Sequence, residues 1–375
     1  MKKQISVLTA LLTAAAFAVT GCGASGDNAA PSASSKAASQ EVPEETEHSE
    51  VESTEAENTG AETGSEAVSE EEKEGSGASA VRVGSLKGPT SMGLAYLMET
   101  AKNGETANTY EFTMAGKADE LVGNIANGSL DIALVPANVA SVLYNKTQGQ
   151  VKVIDINTLG VLYVVASDDS ISTMEDLKGK TVYMTGKGTT PEFAMNYLLA
   201  ENGLGSGDVT MEFKSEAAEV ASILKEDPSA IGVLPQPFAS AACMQNPELK
   251  TVMDLTEQWD LLNKEGNSRM VTGVTIVRTG FLEEHEAAVE QFLKDHAESA
   301  EYTSAEPEKA AQLVADIGIV EKAAMAQKAM PLCNIVCITG EEMKQALSGY
   351  LEVLSGQDAK SIGGTLPGDD FYYLP

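Results

Sequence analysis

The sequence predicts an α/β protein of two lobes, each a mainly parallel sheet flanked by helices, joined by a hinge of two chain crossings. Three observations carry that prediction. Short apolar runs alternate with segments of helical periodicity throughout residues 81–375. A strand–loop–helix corner, "KGPTSMG" from Lys87, recurs as "KGTTPEF" from Lys187, with Lys, Gly and Thr in register at an offset of 100. A second pair, "DIALVPANVAS" from Asp131 and "AIGVLPQPFAS" from Ala230, aligns without gaps at an offset of 99. Two correspondences in the same order at nearly one offset imply two lobes with the same β-α-β-α-β beginning.

In chain order, the strand-like runs are "VRVGSL", "YEFTMAG", "LDIALVPA", "VKVIDI", "GVLYVVAS", "TVYMTG", "VTMEFK", "AIGVLPQP" and "VTGVTIVRT". Between them, segments such as "PEFAMNYLLAENG" and "EAAEVASILKED" space their apolar residues at three and four, as an amphipathic helix requires. The "NG" pairs at Asn103, Asn127 and Asn202 stand where a helix ends in a left-handed residue. From Glu283 onward the pattern is mostly helical.

The first residues follow a different logic. Lys2 and Lys3 precede an apolar run from about Ile5 to Val19, the charged start and hydrophobic middle of an export signal, and the run ends in "VTGC". From Gly23 to Ala80 the chain holds fifteen acids against two lysines and no aromatic residue. Such a segment buries too little apolar surface to offset the entropy of ordering, so it reads as a disordered tether spanning about 40–50 Å. The whole chain of 375 residues has a net charge of −31. Removing the tether's −13 and the two leading lysines leaves −20 on residues 81–375. A surface this acidic excludes nucleic acid as a partner, because phosphate contacts need basic side chains.

Chemistry-bearing motifs are scarce. "GKGTTP" follows a strand and opens a helix, but Pro191 stands where a dinucleotide fingerprint needs Gly or Ala. His285 and His296 read as residues of a solvated helix face, and there is no H-E-x-x-H or G-x-S-x-G. Cys243, Cys333 and Cys337 read as small buried thiols rather than a disulfide or a metal site. Trp259, Tyr372 and Tyr373 read as core or lobe-packing aromatics. What remains is the duplicated corner. Thr90, Ser91, Thr189 and Thr190 are natural helix-capping residues, and a helix start offers unpaired N–H groups to a ligand.

These residues together resemble a known family. "VTGC" resembles a lipobox, which implies that Cys22 is lipidated and begins the mature protein. "VRVGSLKGPTSMGLAYLME", "LDIALVPANVASVLYNKT", "DLKGKTVYMTGKGTTPE" and "LPQPFASAA" are similar to solute-binding lipoproteins of ABC importers, in the type II periplasmic-binding fold. The narrower resemblance is to the group that binds sulfonates, nitrate and the pyrimidine precursor of thiamine. It implies a signal peptide over 1–21, a lipidated tether over 22–80, lobe one over 81–165 plus 275–375, and lobe two over 166–274. It places ligand contacts at Gly88, Pro89, Thr90, Ser91, Met92 and Asn138 in lobe one, and at Gly188, Thr189, Thr190 and Gln236 in lobe two. It also implies a monomer anchored on the extracytoplasmic side of the cell membrane, an ABC permease and ATPase as partners, and no cofactor, metal ion or catalysis. The chain lacks the arginines that tight sulfonate or nitrate binding calls for, so the expected ligand is small and partly apolar. The alternatives are an enzyme on the same fold, related to pyrimidine synthesis, and a ligand-sensing adaptor lipoprotein.

Overall fold

A computed structural model describes residues 80–375; the predicted signal, Cys22 and the tether up to residue 79 lie outside the described residues, and Ala80 begins the first strand. Among the described residues, eleven strands form two sheets. β1 (Ala80–Leu86), β2 (Thr109–Ala115), β3 (Ile132–Pro136), β4 (Val151–Leu159), β10 (Val271–Arg278) and β11 (Ile335–Ile338) make the first, in the order β11-β4-β10-β3-β1-β2. β5 (Leu162–Ala166), β6 (Thr181–Met184), β7 (Thr210–Phe213), β8 (Ile231–Pro235) and β9 (Lys250–Asp254) make the second, in the order β7-β6-β8-β5-β9.

The repeat is visible in this topology. β1 runs parallel to both β2 and β3, and β6 runs parallel to both β7 and β8. Ile132 and Ile231 open matching strands, and Pro136 and Pro235 close them. The sheets are mixed rather than mainly parallel, because every strand outside these triplets pairs antiparallel. β9 and β11 were not among the strand-like runs of the sequence. Both are short sheet edges: β9, "KTVMD", is polar at both ends, and β11, "IVCI", is four residues within an otherwise helical stretch.

The chain leaves the first sheet at Leu159 and enters the second at Leu162, so one crossing sits at Gly160–Val161. β5 therefore lies wholly in the second sheet, a few residues ahead of the expected boundary at 165. The return precedes β10, which lies wholly in the first sheet, so no lobe boundary passes through it at 274. The last third of the chain holds the helices Glu286–Ala305, Pro307–Asp316, Ala323–Ala329 and Gly340–Gln357, with β11 between the last two.

That C-terminal segment also ties the lobes together. Trp259, fully buried in the helix Leu255–Leu262 of the second lobe, packs against Tyr197 at 4.4 Å and Tyr350 at 5.5 Å between ring centroids. Tyr350 belongs to the helix Gly340–Gln357, so the three rings bridge the two halves. The Tyr163 hydroxyl donates to the Leu332 carbonyl at 2.7 Å. In the first lobe, Asp131 is 1% exposed and takes three hydrogen bonds from Arg82 at 2.6–3.0 Å and one from the Arg278 Nη2 at 2.8 Å. Burial alone would raise the Asp131 carboxyl, but the two guanidinium groups outweigh it and hold the group below the usual carboxylate range.

Candidate functional site

Strand ends meet the helices at four loops, and the loops determine what faces the cleft. In the corner after β1, Gly88 has φ 143°, a conformation open to glycine but not to side chains with a Cβ. The chain then makes a single turn, Pro89–Met92, before a separate helix, Ala95–Lys102. One turn sums few peptide dipoles, so this corner offers a ligand less than the start of a full helix does. The Ser91 hydroxyl bonds the Ser85 hydroxyl at 2.6 Å and also the Leu86 carbonyl. Met92 is fully buried against Ala95, Ala310 and Val314. Thr90 is 7% exposed and packed on β10, where a Cβ added to Gly273 would lie 2.5 Å from the Thr90 Cγ2.

The copy after β6 is built differently. Gly188 has φ 70°, and the helix it introduces runs twelve residues, Thr190–Glu201. The Thr189 hydroxyl donates to the Gly186 carbonyl at 2.6 Å. The Gly188 N–H donates to the Glu192 carboxylate at 2.5 Å, so a side-chain anion of the protein already sits at this helix start. Lys187 lies with its ammonium 5.8 Å from the Phe213 ring centroid.

The second matched pair completes the cleft. After β3 the helix Ala137–Thr147 begins, and Asn138 Nδ2 donates to the Ser361 carbonyl at 3.2 Å. After β8 comes a cis Gln236–Pro237 bond and the helix Phe238–Gln245. The Gln236 N–H donates to the Val161 carbonyl at 2.9 Å, and Gln236 Oε1 accepts from the Ser240 N–H at 3.3 Å. Gln236 is 2% exposed and its Nε2 has no partner, which leaves one buried donor next to the crossing.

A cavity of about 240 Å³ opens between the lobes at this crossing. Pro136, Ala137 and Asn138 line it from the first lobe, and Leu162, Thr185, Thr190, Pro191 and Pro235 line it from the second. Val161, Met270, Val271 and Thr272 close it along the crossings, and Tyr350 reaches it from the C-terminal helix. Of the residues expected from sequence, Asn138 and Thr190 are brought together here, while Gln236 borders it through Pro235 and Val161. Gly88, Pro89, Thr90, Ser91, Met92, Gly188 and Thr189 are not in the lining. Thr185 and Pro191 lie in the runs "TVYMTG" and "KGTTPEF" and were legible as neighbours of Thr190. Tyr350 had no such signal, since it comes from a helix far along the chain.

The lining holds no charged side chain. The sequence contains three arginines, and each is engaged in an ion pair: Arg82 and Arg278 with Asp131, and Arg269 with Asp260 at 3.2 Å. The cleft therefore combines an apolar wall with hydroxyl and amide groups from Thr185, Thr190, Thr272 and Asn138. That pairing orients a ligand by a few hydrogen bonds while its body displaces water.

One expectation is overturned. His296 does not face solvent; it is fully buried, with Nδ1 3.1 Å from the Asp155 Oδ2 and Cys337 alongside. Burial alone would favour the neutral ring, yet the Asp155 carboxylate and Cys337 push its pKa up to about 10. The helix Glu286–Ala305 packs on the first sheet, and the face that carries His296 is the inner one. Cys243, Cys333 and Cys337 are free thiols.

Comparison with known proteins gives the fold and a family match to part of the chain. Residues 95–253 match the family described as ABC transporter, phosphonate, periplasmic substrate-binding protein. A relative from Brucella abortus (strain 2308), named only as a binding protein, is 25% identical over 251 residues, 64% of this chain and 70% of its own length. The crystal structure of an ABC transporter from Parabacteroides distasonis has a TM-score of 0.66 at 22% identity, covering 79% of this chain and 99% of its own. The periplasmic aliphatic sulphonate binding protein SsuA of Escherichia coli has a TM-score of 0.61 at 15% identity, covering 79% and 92%. The match to the family thus covers residues 95–253, and the described chain as a whole shares the two-lobe type II fold of these structures.

Proposed function

We propose that this chain is an extracytoplasmic solute-binding lipoprotein that captures a small organic ligand by lobe closure and delivers it to an ABC importer. Cys22 carries the lipid that keeps it on the membrane, and the acidic tether of residues 23–80 gives it reach to a permease and its ATPase. Among the described residues no helix is long and apolar enough to cross a membrane.

The observation that carries this reading is the cavity shared by both lobes at their crossing, lined without charge. A ligand that bridges Asn138 and Thr190 contacts both lobes only when they are close, so its differential affinity favours the closed form. The ligand class also follows from the lining. A phosphonate or sulfonate in a desolvated site is best held by Arg or Lys donors or by free helix-start N–H groups, and here the three arginines are paired elsewhere. Glu192 at the Gly188 N–H repels a second anion from that helix start. The ligand is therefore an uncharged, largely apolar molecule of heterocycle size with two or three hydrogen-bonding groups.

A thermal-shift screen of the full chain tests this directly, with neutral heterocycles on one side and phosphonates, sulfonates and nitrate on the other. A neutral compound is expected to raise the melting temperature and to reduce the radius of gyration in small-angle scattering. A larger shift with a phosphonate or sulfonate would sink the ligand class. No shift and no compaction with any small molecule would sink capture by closure.

A further inference from the structure

Away from the cleft, three different donor side chains meet inside the first lobe. Asp155 comes from β4, His296 from the helix Glu286–Ala305, and Cys337 from β11. One ligand atom from each lies within 4.8 Å of the other two. We propose that Asp155, His296 and Cys337 form a binding site for a first-row divalent transition ion of the zinc type.

The chemistry of the donors selects the ion. A thiolate, an imidazole and a carboxylate together suit zinc and its neighbours, whereas calcium and magnesium take oxygen ligands alone. Two of the donors already have the spacing of a coordination shell, with His296 Nδ1 and Asp155 Oδ2 3.1 Å apart. The imidazole would coordinate through Nδ1, the nitrogen that faces Asp155.

Supporting residues hold the carboxylate in place. Asp155 Oδ1 accepts from the Thr275 hydroxyl at 2.8 Å, and that hydroxyl in turn accepts from Asn157 Nδ2 at 3.2 Å. Outer contacts of this type fix the orientation of a ligating group and strengthen binding. On binding, the Cys337 thiol proton and one proton of the His296 imidazolium pass to solvent, and the ion takes their place. Thiolate, carboxylate and a divalent ion with a neutral imidazole sum to zero, so the buried cluster carries no net charge.

The position gives the ion a structural effect. β11 has four residues and an irregular register on β4. Its preceding residue, Asn334, accepts the Leu159 N–H at 3.0 Å and donates to the Gly160 carbonyl at 2.7 Å, at the crossing itself. An ion joining β11, β4 and the long helix would fasten the strand that supports this crossing.

Cobalt(II) titration of the reduced, chelator-treated full chain is the test, because a thiolate–cobalt bond produces a near-ultraviolet charge-transfer band. One cobalt per chain with that band is expected, together with a rise in melting temperature on adding zinc. Cys337→Ser should abolish the band, and Thr275→Val should weaken cobalt binding about tenfold. Should Cys337→Ser misfold, a chain bearing Cys22→Ser, Cys243→Ser and Cys333→Ser decides, since it keeps Cys337 alone and must keep the band. A wild-type chain without the band, a band that survives Cys337→Ser in a folded protein, or one lost from the chain that retains only Cys337 overturns the site.

Discussion

The two copies of the "KG-T" corner have diverged in what their residues do. After β1 the helix is broken into a single turn, and its polar groups satisfy one another: Ser91 with Ser85, and Thr90 packed on β10. After β6 the helix is twelve residues long and Thr190 faces the cleft, but Glu192 holds the Gly188 N–H. The same residues thus serve packing in one lobe and a cavity wall in the other. The matched strands differ in a similar way. Asp131 in the first lobe is clamped by two arginines, and its counterpart in the second lobe is Ala230, with no charge to satisfy. Duplication preserves topology, while the polar interior of each copy is free to change provided that its buried groups find partners.

The largest expected effect breaks the first lobe alone. Asp131→Asn leaves Arg82 and Arg278 without their shared carboxylate and should cost about 3 kcal/mol in denaturant unfolding. The pH dependence has a definite sign. The folded carboxyl titrates below its unfolded value near 4, so its contribution is complete above that pH. It is lost as pH falls through the folded value, and the gap between wild type and variant should close on acidification. A gap that stays constant with pH would show that the carboxylate's charge is not what stabilises the lobe.

Next in size is Gly273→Ala, whose Cβ would lie 2.5 Å from both the Thr90 Cγ2 and the Asn157 Oδ1. Overpacking of this kind should lower stability by about 2 kcal/mol in the same measurement. An unchanged midpoint would mean that the first corner is loosely held against β10.

The third prediction separates the corners by function. Thr190→Ala should weaken binding of the identified ligand about tenfold, the equivalent of one hydrogen bond of about 1.4 kcal/mol, while Thr90→Ala should leave affinity within about twofold. Calorimetry showing the reverse order would move the site to the first corner. The smallest effect concerns Glu192→Gln, which should cost about 0.5 kcal/mol of stability at this helix start and make the cleft more tolerant of anions. A sulfonate thermal shift that appears only in this variant would support the role of the carboxylate as a barrier to charge.

Much of this protein is legible in the sequence because it rests on local pattern. Short apolar runs located the inner strands, since their buried faces must be continuous. The offsets of 100 and 99 located the matching βα loops, since equal chain lengths close equal βαβ units. β9 and β11 escaped because four or five residues, polar at both ends in β9 and set among helices in β11, are too few to separate a strand from its surroundings. His296 escaped because "KDHAE" is polar in sequence, and only packing against the sheet shows which helix face is inward.

Sequence alone therefore determined the two-lobe α/β class, the repeated beginning and two of the cavity residues, Asn138 and Thr190. Tertiary structure decided the rest: the crossing at Gly160–Val161, the Tyr197–Trp259–Tyr350 bridge, and the meeting of Asp155, His296 and Cys337. The bridge and the donor cluster join residues from distant parts of the chain. Local periodicity reports which face of an element is apolar, but not which distant element will cover it.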